Sequence, residues 1–424
     1  MKEDFLHYVW KHNLFPCTNL KTTKNESLEI LKFGSHNFNS GPDFLDASLR
    51  IDGQEWFGNI EIHINASDWY VHHHETDAKY DAVILHVVWE EDVLIYTKSN
   101  LILPTLTLKD KVDYDLLKRY DELLKLNATW IPCENEINTT SALVFEHWKE
   151  RLFFERLEKK ATEIQLILAQ RNVDFEATLF ALLCKNFGLK INGVAFLQLA
   201  NSFDFKILKK VRGNSLQLAA LLFGQAGFLG GVVEESYYSQ LQKEYEFLQA
   251  KFNLVPIAKE HFSFFRMRPT NFPTIRIAQL VALYHKYEHP FLALLGLQTK
   301  KEFYNFFKVE LDFFWKNHFT FEKISPKKSL KHISTAFVDL VLINTIIPVK
   351  FSYQKIRGEI FENEYLDLLE DIRPEKNSIV KKFTSLGIES KNAFDTQALL
   401  QLKNEYCSCK KCLSCAVGKN ILRA

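Results

Sequence analysis

The chain has 424 residues, of which 47% are hydrophobic and 25% are charged. This composition is typical of a globular protein and excludes a disordered or fibrous one. Lys and Arg together number 53 and Asp and Glu 52, so the net charge is +1 and any surface that binds nucleic acid must be a local basic patch.

A β-hairpin is the clearest element near the start of the chain. Residues 47–51 alternate apolar and polar side chains, and residues 56–64 do so again. Between these runs lies Asp52-Gly53, a strong hairpin signal because both residues accept a positive φ angle. The sequence therefore predicts two antiparallel strands joined by a two-residue turn.

Further strands are predicted after this hairpin. Residues 82–89 form a nearly continuous apolar run, which is expected of a strand covered on both faces. Residues 93–96 and 101–108 also have strand character, and Pro104 favours an edge position for the latter. We expect these strands to join the hairpin in one sheet.

From about Ser141 the apolar spacing becomes helical, at three and four residues. The predicted fold class is α+β, with a mixed-sheet α/β core in residues 1–125 and an all-helical region in residues 126–424 that ends in a Cys-rich motif. The first residues do not have the pattern of a signal peptide and no membrane span is predicted, so we expect a cytoplasmic protein.

Histidines and carboxylates are concentrated around the hairpin and the loop after it. Glu61 and His63 are two residues apart on a predicted strand, so their side chains leave the same face. Carboxylates suit Mg²⁺ and Mn²⁺, and imidazole adds affinity for Mn²⁺ or Zn²⁺. The alternative is a solvated sheet face, with His86 as a hydrogen-bonded core histidine. The residues are His36, Asp43, Asp46, Glu61, His63, Asp68, His72, His73, His74, Asp77 and His86.

Several runs of this sequence resemble an uncharacterised bacterial family, a domain of unknown function, across nearly the whole chain. The local pattern Pro42-Asp43 followed by Glu61-x-His63 is in turn similar to the PD-(D/E)XK nuclease superfamily. The runs are Ser40–Phe44, Gly58–His63, Ser67–Trp69, His74, Asp77, Tyr80, Val83–Val87, Arg266–Gln279 and the Cys-rich tail.

The superfamily resemblance implies a nuclease-like core that cleaves phosphodiester bonds in DNA or RNA with Mg²⁺ or Mn²⁺. Asp43 and Glu61 would bind the divalent ion, and His63 would stand where the superfamily has a Lys that positions the attacking water. Candidates to support these ligands, hold a second ion or contact a phosphate are His36, Asp68, His74, Asp77 and Tyr80.

Two features depart from the superfamily pattern. His63 is not Lys and supplies no fixed positive charge. A strict two-residue turn at Asp52-Gly53 also pairs residue 43 with residue 62, which points Asp43 away from Glu61. Asp43 reaches Glu61 if it precedes the strand in a loop or if a β-bulge near Gly58 re-aims it. Otherwise Asp46 shares the Glu61 face and is the better ligand.

The C-terminal motif is Cys407-x-Cys409-x-x-Cys412-x-x-Cys415. Four thiolates at this spacing can hold a tetrahedral Zn²⁺ ion or an iron–sulfur cluster. Alternatively, Cys409 is incidental and the fourth ligand is Cys133 or Cys17, or the cysteines are buried or surface free thiols without a metal. Some PD-(D/E)XK nucleases hold an iron–sulfur cluster with cysteines that flank the nuclease core, and this arrangement loosely resembles theirs.

Arg266, Arg268 and Arg276 lie in one Pro-interrupted stretch and are candidates to contact a nucleic-acid backbone, although structural ion pairs are an alternative. The first functional hypothesis is a metal-dependent nuclease. The alternatives are a non-catalytic nucleic-acid-binding or scaffold protein with a degenerate nuclease core, and a metal-dependent hydrolase of a small substrate.

Overall fold

The computed structural model describes residues 1–37, 39–125, 129–325, 328–359 and 364–423. The chain divides into two compact units. Unit 1 comprises residues 1–149, 382–388 and 400–424, and unit 2 comprises residues 150–381 and 389–399. The predicted division after residue 125 falls beside residues 126–128, which lie outside the described residues.

A seven-stranded mixed sheet forms the centre of unit 1. The strand order is β1-β2-β4-β5-β6-β7, and β3 pairs with β4 beside this path. Strands β1 to β5 pair antiparallel, whereas β6 pairs parallel to β5 and β7 parallel to β6. The strands are β1 Leu20–Lys21, β2 Ser27–Lys32, β3 Ser35–His36, β4 Phe44–Ile51, β5 Gln54–Asn65, β6 Val83–Glu90 and β7 Thr105–Thr107.

The predicted hairpin is formed by β4 and β5. Asp52 and Gly53 both have positive φ angles, of 45° and 84°, as a two-residue hairpin turn requires. Strand β6 has six consecutive buried residues, as its continuous apolar run predicted. Only Thr105–Thr107 of the predicted 101–108 strand is a strand, and it lies at the sheet edge. Residues 93–96 are not a strand; Tyr96 forms an isolated bridge with Ile102.

The rest of the described chain is mainly helical, so the α+β class and the large helical region are confirmed. The α-helices are α1 Glu3–Lys11, α2 Asp68–Val71, α3 Tyr114–Lys125, α4 Ala142–Ala169, α5 Phe175–Phe187, α6 Leu189–Asn201, α7 Phe205–Val211, α8 Ser215–Gln225, α9 Ser236–Phe252, α10 Pro273–Lys286, α11 Pro290–Leu295, α12 Lys300–Phe306, α13 Thr335–Val341, α14 Ile347–Arg357, α15 Glu364–Asp371, α16 Ser378–Ser385, α17 Ala393–Gln401 and α18 Ala416–Arg423.

Unit 2 is built around one large apolar cluster that extends from Phe153 to Phe394. Within the described residues, one helical run, Thr335–Arg357, is long and apolar enough to cross a membrane. Burial covers 72% of its most apolar stretch, as is usual for a core helix of a folded protein.

Helix α1 contributes to the packing of unit 1. Phe5, Leu6 and Val9 are completely buried, and the helix contacts β5. Glu3 and Asp4 occupy its first turn, where carboxylates interact favourably with the helix dipole. This packing brings the polar side of α1 towards the residues at the start of β4.

Candidate metal centre

A β-bulge in β4 sets the direction in which Asp43 points. Ala47 pairs with Gly58, but Phe44 pairs with Ile60, so β4 has one more residue than β5 in this interval. The extra residue is Asp46, which has a φ angle of 56°. Asp43, the residue before Phe44, therefore lies opposite Glu61, and the two side chains leave the same face of the sheet. Without the bulge, Asp43 would lie opposite Ile62.

Hydrogen bonds hold the two carboxylates in this arrangement. The backbone N–H of Asp43 donates to Glu61 Oε2 at 3.1 Å, and the N–H of Ile62 donates to Asp43 Oδ2 at 3.0 Å. Asp46, by contrast, is exposed, and its N–H donates to Asn59 Oδ1 at 3.3 Å. The bulge thus selects Asp43, and not Asp46, as the partner of Glu61.

Gly58 is required beside this bulge by a close approach of the backbone. A Cβ atom at this position would lie 2.4 Å from the carbonyl oxygen of Ala82 and 2.6 Å from Cγ2 of Ile84. The missing side chain allows the start of β6 to pack against β5. Gly58 therefore helps to place Glu61 and His86, which are register partners in the parallel pair.

The first group of possible ligands combines Asp43 with two residues of α1. One ligand atom each of Glu3, His7 and Asp43 lies within 4.8 Å of the others. His7 Nε2 is 3.1 Å from Asp43 Oδ2 and 3.6 Å from Glu3 Oε1. We call these residues the acidic triad.

The second group consists of imidazoles. Ring nitrogens of His63, His72 and His74 also lie within 4.8 Å of one another, and we call these residues the histidine triad. Glu61 contacts this group as well, because its Oε1 lies 3.2 Å from His74 Nε2 and 3.5 Å from His63 Nε2. Glu61 thereby touches members of both triads, Asp43 through its backbone N–H and His63 and His74 through their rings.

His86 orients the ring of His63 through a contact with its Nδ1 atom. His63 Nδ1 lies 2.8 Å from His86 Nε2, and His63 Nε2 lies 3.2 Å from His72 Nδ1. His86 is completely buried, in agreement with the hydrogen-bonded core histidine that the sequence allowed. A histidine ligand is usually oriented by a hydrogen bond on its other nitrogen, and His86 occupies that position.

Burial dominates the electrostatics of the site. It raises the pKa of Glu61 to about 9, and the nearby charge of Asp43 adds to this rise. Burial lowers the pKa of His63 to about 2 and that of His86 to about 3, and neighbouring imidazoles add to both shifts. Both rings are therefore neutral at physiological pH and keep a lone pair available.

His7 behaves differently from the buried imidazoles. Burial acts to lower the pKa of His7, but the hydrogen bond and charge of Asp43 outweigh it, so the pKa is raised. Burial and the charge of Asp43 also raise the pKa of Glu3. The proton on His7 thus offsets the charge of Asp43, and a cation bound at the acidic triad would replace that proton.

Of the predicted supporting residues, His74 and Tyr80 lie at the site. Their rings stack with centroids 3.7 Å apart and an interplanar angle of 20°. His36 stacks on Phe44 at 4.9 Å and lies beyond His7, at a centroid distance of 5.5 Å.

The other two predicted supporting residues have local backbone roles. Asp68 accepts a hydrogen bond from the N–H of Asn65 at 3.0 Å. Asp77 accepts one from the N–H of Lys79 at 3.0 Å and is exposed. These contacts stabilise the turns around the histidine triad.

A family model described as a protein of unknown function (DUF2851) matches residues 3–378. The chain belongs to this family. No curated protein and no solved structure matches the chain.

The buried cysteines of this DUF2851 member are not the four of the C-terminal motif, because Cys133 takes the place of Cys409. Cys133, Cys407, Cys412 and Cys415 are buried and line one small cavity in unit 1. Cys409 is exposed, and its thiol lies 3.5 Å from the carbonyl oxygen of Asn404. The structure thus brings Cys133 to the three other cysteines of the tail.

The three candidate arginines of this DUF2851 member lie in unit 2 and differ in exposure. Arg266 and Arg268 are exposed, whereas Arg276 is buried within α10. The Arg276 guanidinium donates hydrogen bonds to Asn271 Oδ1 at 2.7 Å and to Gln279 Oε1 at 2.8 Å. The prediction of a nucleic-acid contact now depends on Arg266 and Arg268.

Sequence reasoning missed Glu3 and His7. Both lie on α1, outside the residues 36–86 in which histidines and carboxylates are concentrated. Their spacing of four residues places them on one face of a helix, and this was the available signal.

Proposed function

We propose that this protein is a divalent-metal-dependent nuclease whose ion binds between Asp43 and Glu61. The observation that carries the proposal is the bulge at Asp46, because it turns Asp43 towards Glu61 on the hairpin. The acidic triad and the imidazoles of His63 and His74 then supply further oxygen and nitrogen ligands on either side of Glu61.

The donor atoms fit a hard or borderline divalent cation. Glu3, Asp43 and Glu61 offer carboxylate oxygens, which suit Mg²⁺ and Mn²⁺. The imidazoles of His63 and His74 favour Mn²⁺ over Mg²⁺, because nitrogen ligands bind transition metals more strongly. When bound, such an ion polarises a phosphoryl oxygen and lowers the pKa of a water molecule.

His63 fits the role of a ligand better than that of a proton acceptor. Its ring is 1% exposed and is held between His86 and His72. If its Nδ1–H donates to His86, the lone pair on Nε2 is directed towards Glu61 and His72. The position of the superfamily Lys would then be taken by a neutral ligand.

His72 is the member of the histidine triad that solvent can reach. We assign it the role of accepting a proton from the attacking water. The water oxygen forms a bond to phosphorus, the bond from phosphorus to the leaving oxygen breaks, and the leaving oxygen takes up a proton from solvent. The carboxylates of Asp43 and Glu61 would hold the ion throughout this reaction.

The test uses purified full-length protein incubated with plasmid DNA, single-stranded DNA and RNA, with Mn²⁺, Mg²⁺ or EDTA. We expect cleavage of at least one of these substrates with Mn²⁺ and none with EDTA. The substitutions Asp43→Asn and Glu61→Gln should each reduce the rate by roughly 100-fold or more. Asp46→Asn is the matched control and should keep the rate within about twofold, because Asp46 is exposed.

The proposal fails if none of these nucleic acids is cleaved with either ion, or if Glu61→Gln cleaves as fast as the wild type. Nucleic-acid binding without cleavage would favour the non-catalytic alternative. The observation that favours this alternative is the neutral, buried His63 in place of a charged Lys. Metal-dependent hydrolysis of a small phosphodiester alone would favour the small-substrate alternative.

A further inference from the structure

Four buried cysteines of unit 1 come from two distant segments of the chain, one around residue 133 and one at residues 407–415. Cys133 follows α3, Cys407 ends the helical turn after α17, and Cys412 and Cys415 precede α18. All four line a cavity of about 10 Å³, a volume close to that needed for one water-sized occupant. Its other walls include Ile137, Leu402 and Val417.

The backbone of the tail is shaped around these thiols. Lys410 has a φ angle of 52°, and its N–H donates to the carbonyl oxygen of Cys407 at 3.1 Å. The N–H of Cys415 donates to the carbonyl oxygen of Cys412 at 3.1 Å. A Cβ at Gly418 would lie 2.3 Å from that Cys412 oxygen, so only glycine fits there. With these turns, Cys407, Cys412 and Cys415 all line the same cavity.

Lysines of the tail provide positive charge for thiolates. Burial raises the pKa of Cys407, Cys412 and Cys415, and the charges of Lys403, Lys410 and Lys419, respectively, act against this rise. Four thiolates around one metal centre carry excess negative charge, and nearby lysines reduce its cost.

A single buried thiol needs no such explanation. Cys184 is completely buried in the apolar core of unit 2 and behaves there as a small apolar side chain. The four cysteines of unit 1 differ because they are buried together, without a disulfide, at the same cavity. Their convergence from distant parts of the sequence is typical of metal ligands.

We propose that Cys133, Cys407, Cys412 and Cys415 together hold a thiolate-ligated metal centre, either a zinc ion or an iron–sulfur cluster. Each thiol loses its proton when it binds the metal, so uptake releases protons to solvent. The centre links residues 400–424 to the segment around Cys133 within unit 1. Cys409 and Cys17 are not ligands, since both are exposed and neither lines the cavity.

The proposal does not depend on the nuclease activity, and its test measures metal directly. Full-length protein is purified without oxygen, and zinc, iron and sulfide are determined together with the visible spectrum. One zinc per chain without colour identifies a zinc site, and iron with sulfide and visible absorption identifies a cluster. Protein reconstituted with Co²⁺ should show sulfur-to-cobalt charge-transfer bands, which the carboxylates and imidazoles of the first site cannot produce.

Cys133→Ser and Cys409→Ser form the matched pair of variants. We expect Cys133→Ser to lower metal content and charge-transfer intensity at least tenfold, while Cys409→Ser keeps both within about 20% of the wild type. Equal loss in both variants, or loss in Cys409→Ser alone, would overturn the ligand assignment. Measurements on the wild type do not depend on whether a variant folds correctly. If the wild type contains neither zinc nor iron and shows no charge-transfer bands with Co²⁺, the proposal is wrong.

Discussion

The two units bury their ionisable side chains in different ways. In unit 2, the buried Arg276 guanidinium is held by the side chains of Asn271 and Gln279 and lies 3.5 Å from the centre of the Phe337 ring. Lys160 donates to Asn344 Oδ1 at 3.0 Å and to the carbonyl oxygen of Ile343 at 3.2 Å. Each charge is thus paired with neutral oxygen acceptors.

In unit 1, by contrast, buried ionisable groups face one another. Glu61 lies beside the carboxylate of Asp43 and the rings of His63 and His74. Such clustering raises the free energy of the folded protein, because each group shifts the ionisation of its neighbours unfavourably. Proteins keep this arrangement mainly where a ligand or a reaction needs it, whereas charges with fixed neutral partners are structural.

Replacement of Arg276 by Met tests the structural side of this comparison and should have the largest effect on stability. Asn271 and Gln279 would lose their buried donor, at a cost of about 3 kcal/mol in the free energy of unfolding. Urea titration followed by fluorescence and circular dichroism measures this change. Arg268→Met, an exposed arginine nearby in the sequence, should change stability by less than about 0.5 kcal/mol. Equal effects of the two substitutions would contradict a structural role for Arg276.

The buried Lys160 of unit 2 should make the stability of the protein depend on pH. Burial lowers its pKa from 10.5 to about 7, so the unfolded chain binds more protons than the folded protein between these values. Stability should therefore rise with pH across this window, by about 2 kcal/mol between pH 7 and pH 9 from this group alone.

Lys160→Met should remove this rise, whereas the exposed Lys301→Met should keep it. Urea titrations of the wild type and both variants at the two pH values measure the difference. A wild-type stability that changes with pH exactly as that of Lys160→Met does would show that Lys160 is not responsible.

Local signals predicted the parts of the fold that depend on local chemistry. Asp52-Gly53 specified the hairpin turn, and the apolar run of β6 indicated a strand buried on both faces. A β-bulge near Gly58 was one of the predicted possibilities, but its position at Asp46 could not be chosen from the sequence, because aspartate tolerates a positive φ angle but does not require one. Two ways for Asp43 to reach Glu61 were predicted, and only the pairing register distinguished them.

The remaining site residues depend on tertiary packing. His7 meets Asp43 because α1 packs on the sheet, which no local pattern specifies. Cys133 meets Cys407 although most of the chain lies between them, so spacing alone favoured Cys409. Arg276 remained a candidate for phosphate contact because the sequence does not show that it is buried. Its burial in α10 depends on the packing of unit 2.

Glu61→Gln should have the smallest effect on stability, although it should have a large effect on activity. Gln has nearly the same shape, and its side-chain oxygen can still accept the hydrogen bond from the N–H of Asp43. The substitution also removes a buried carboxyl group next to Asp43, so in EDTA we expect the free energy of unfolding to stay within about 0.5 kcal/mol of the wild type, or to rise.

Addition of Mn²⁺ separates this result from simple tolerance of the substitution. A ligand that binds only the folded protein raises its melting temperature, so Mn²⁺ should raise that of the wild type and not that of Glu61→Gln. Thermal unfolding of both proteins with Mn²⁺ and with EDTA measures the difference. If Glu61→Gln instead unfolds in EDTA as readily as Arg276→Met, the Glu61 carboxyl group stabilises the fold and is not kept for a bound ion. Glu61 is then a structural residue like Arg276, and the contrast between the two units no longer holds.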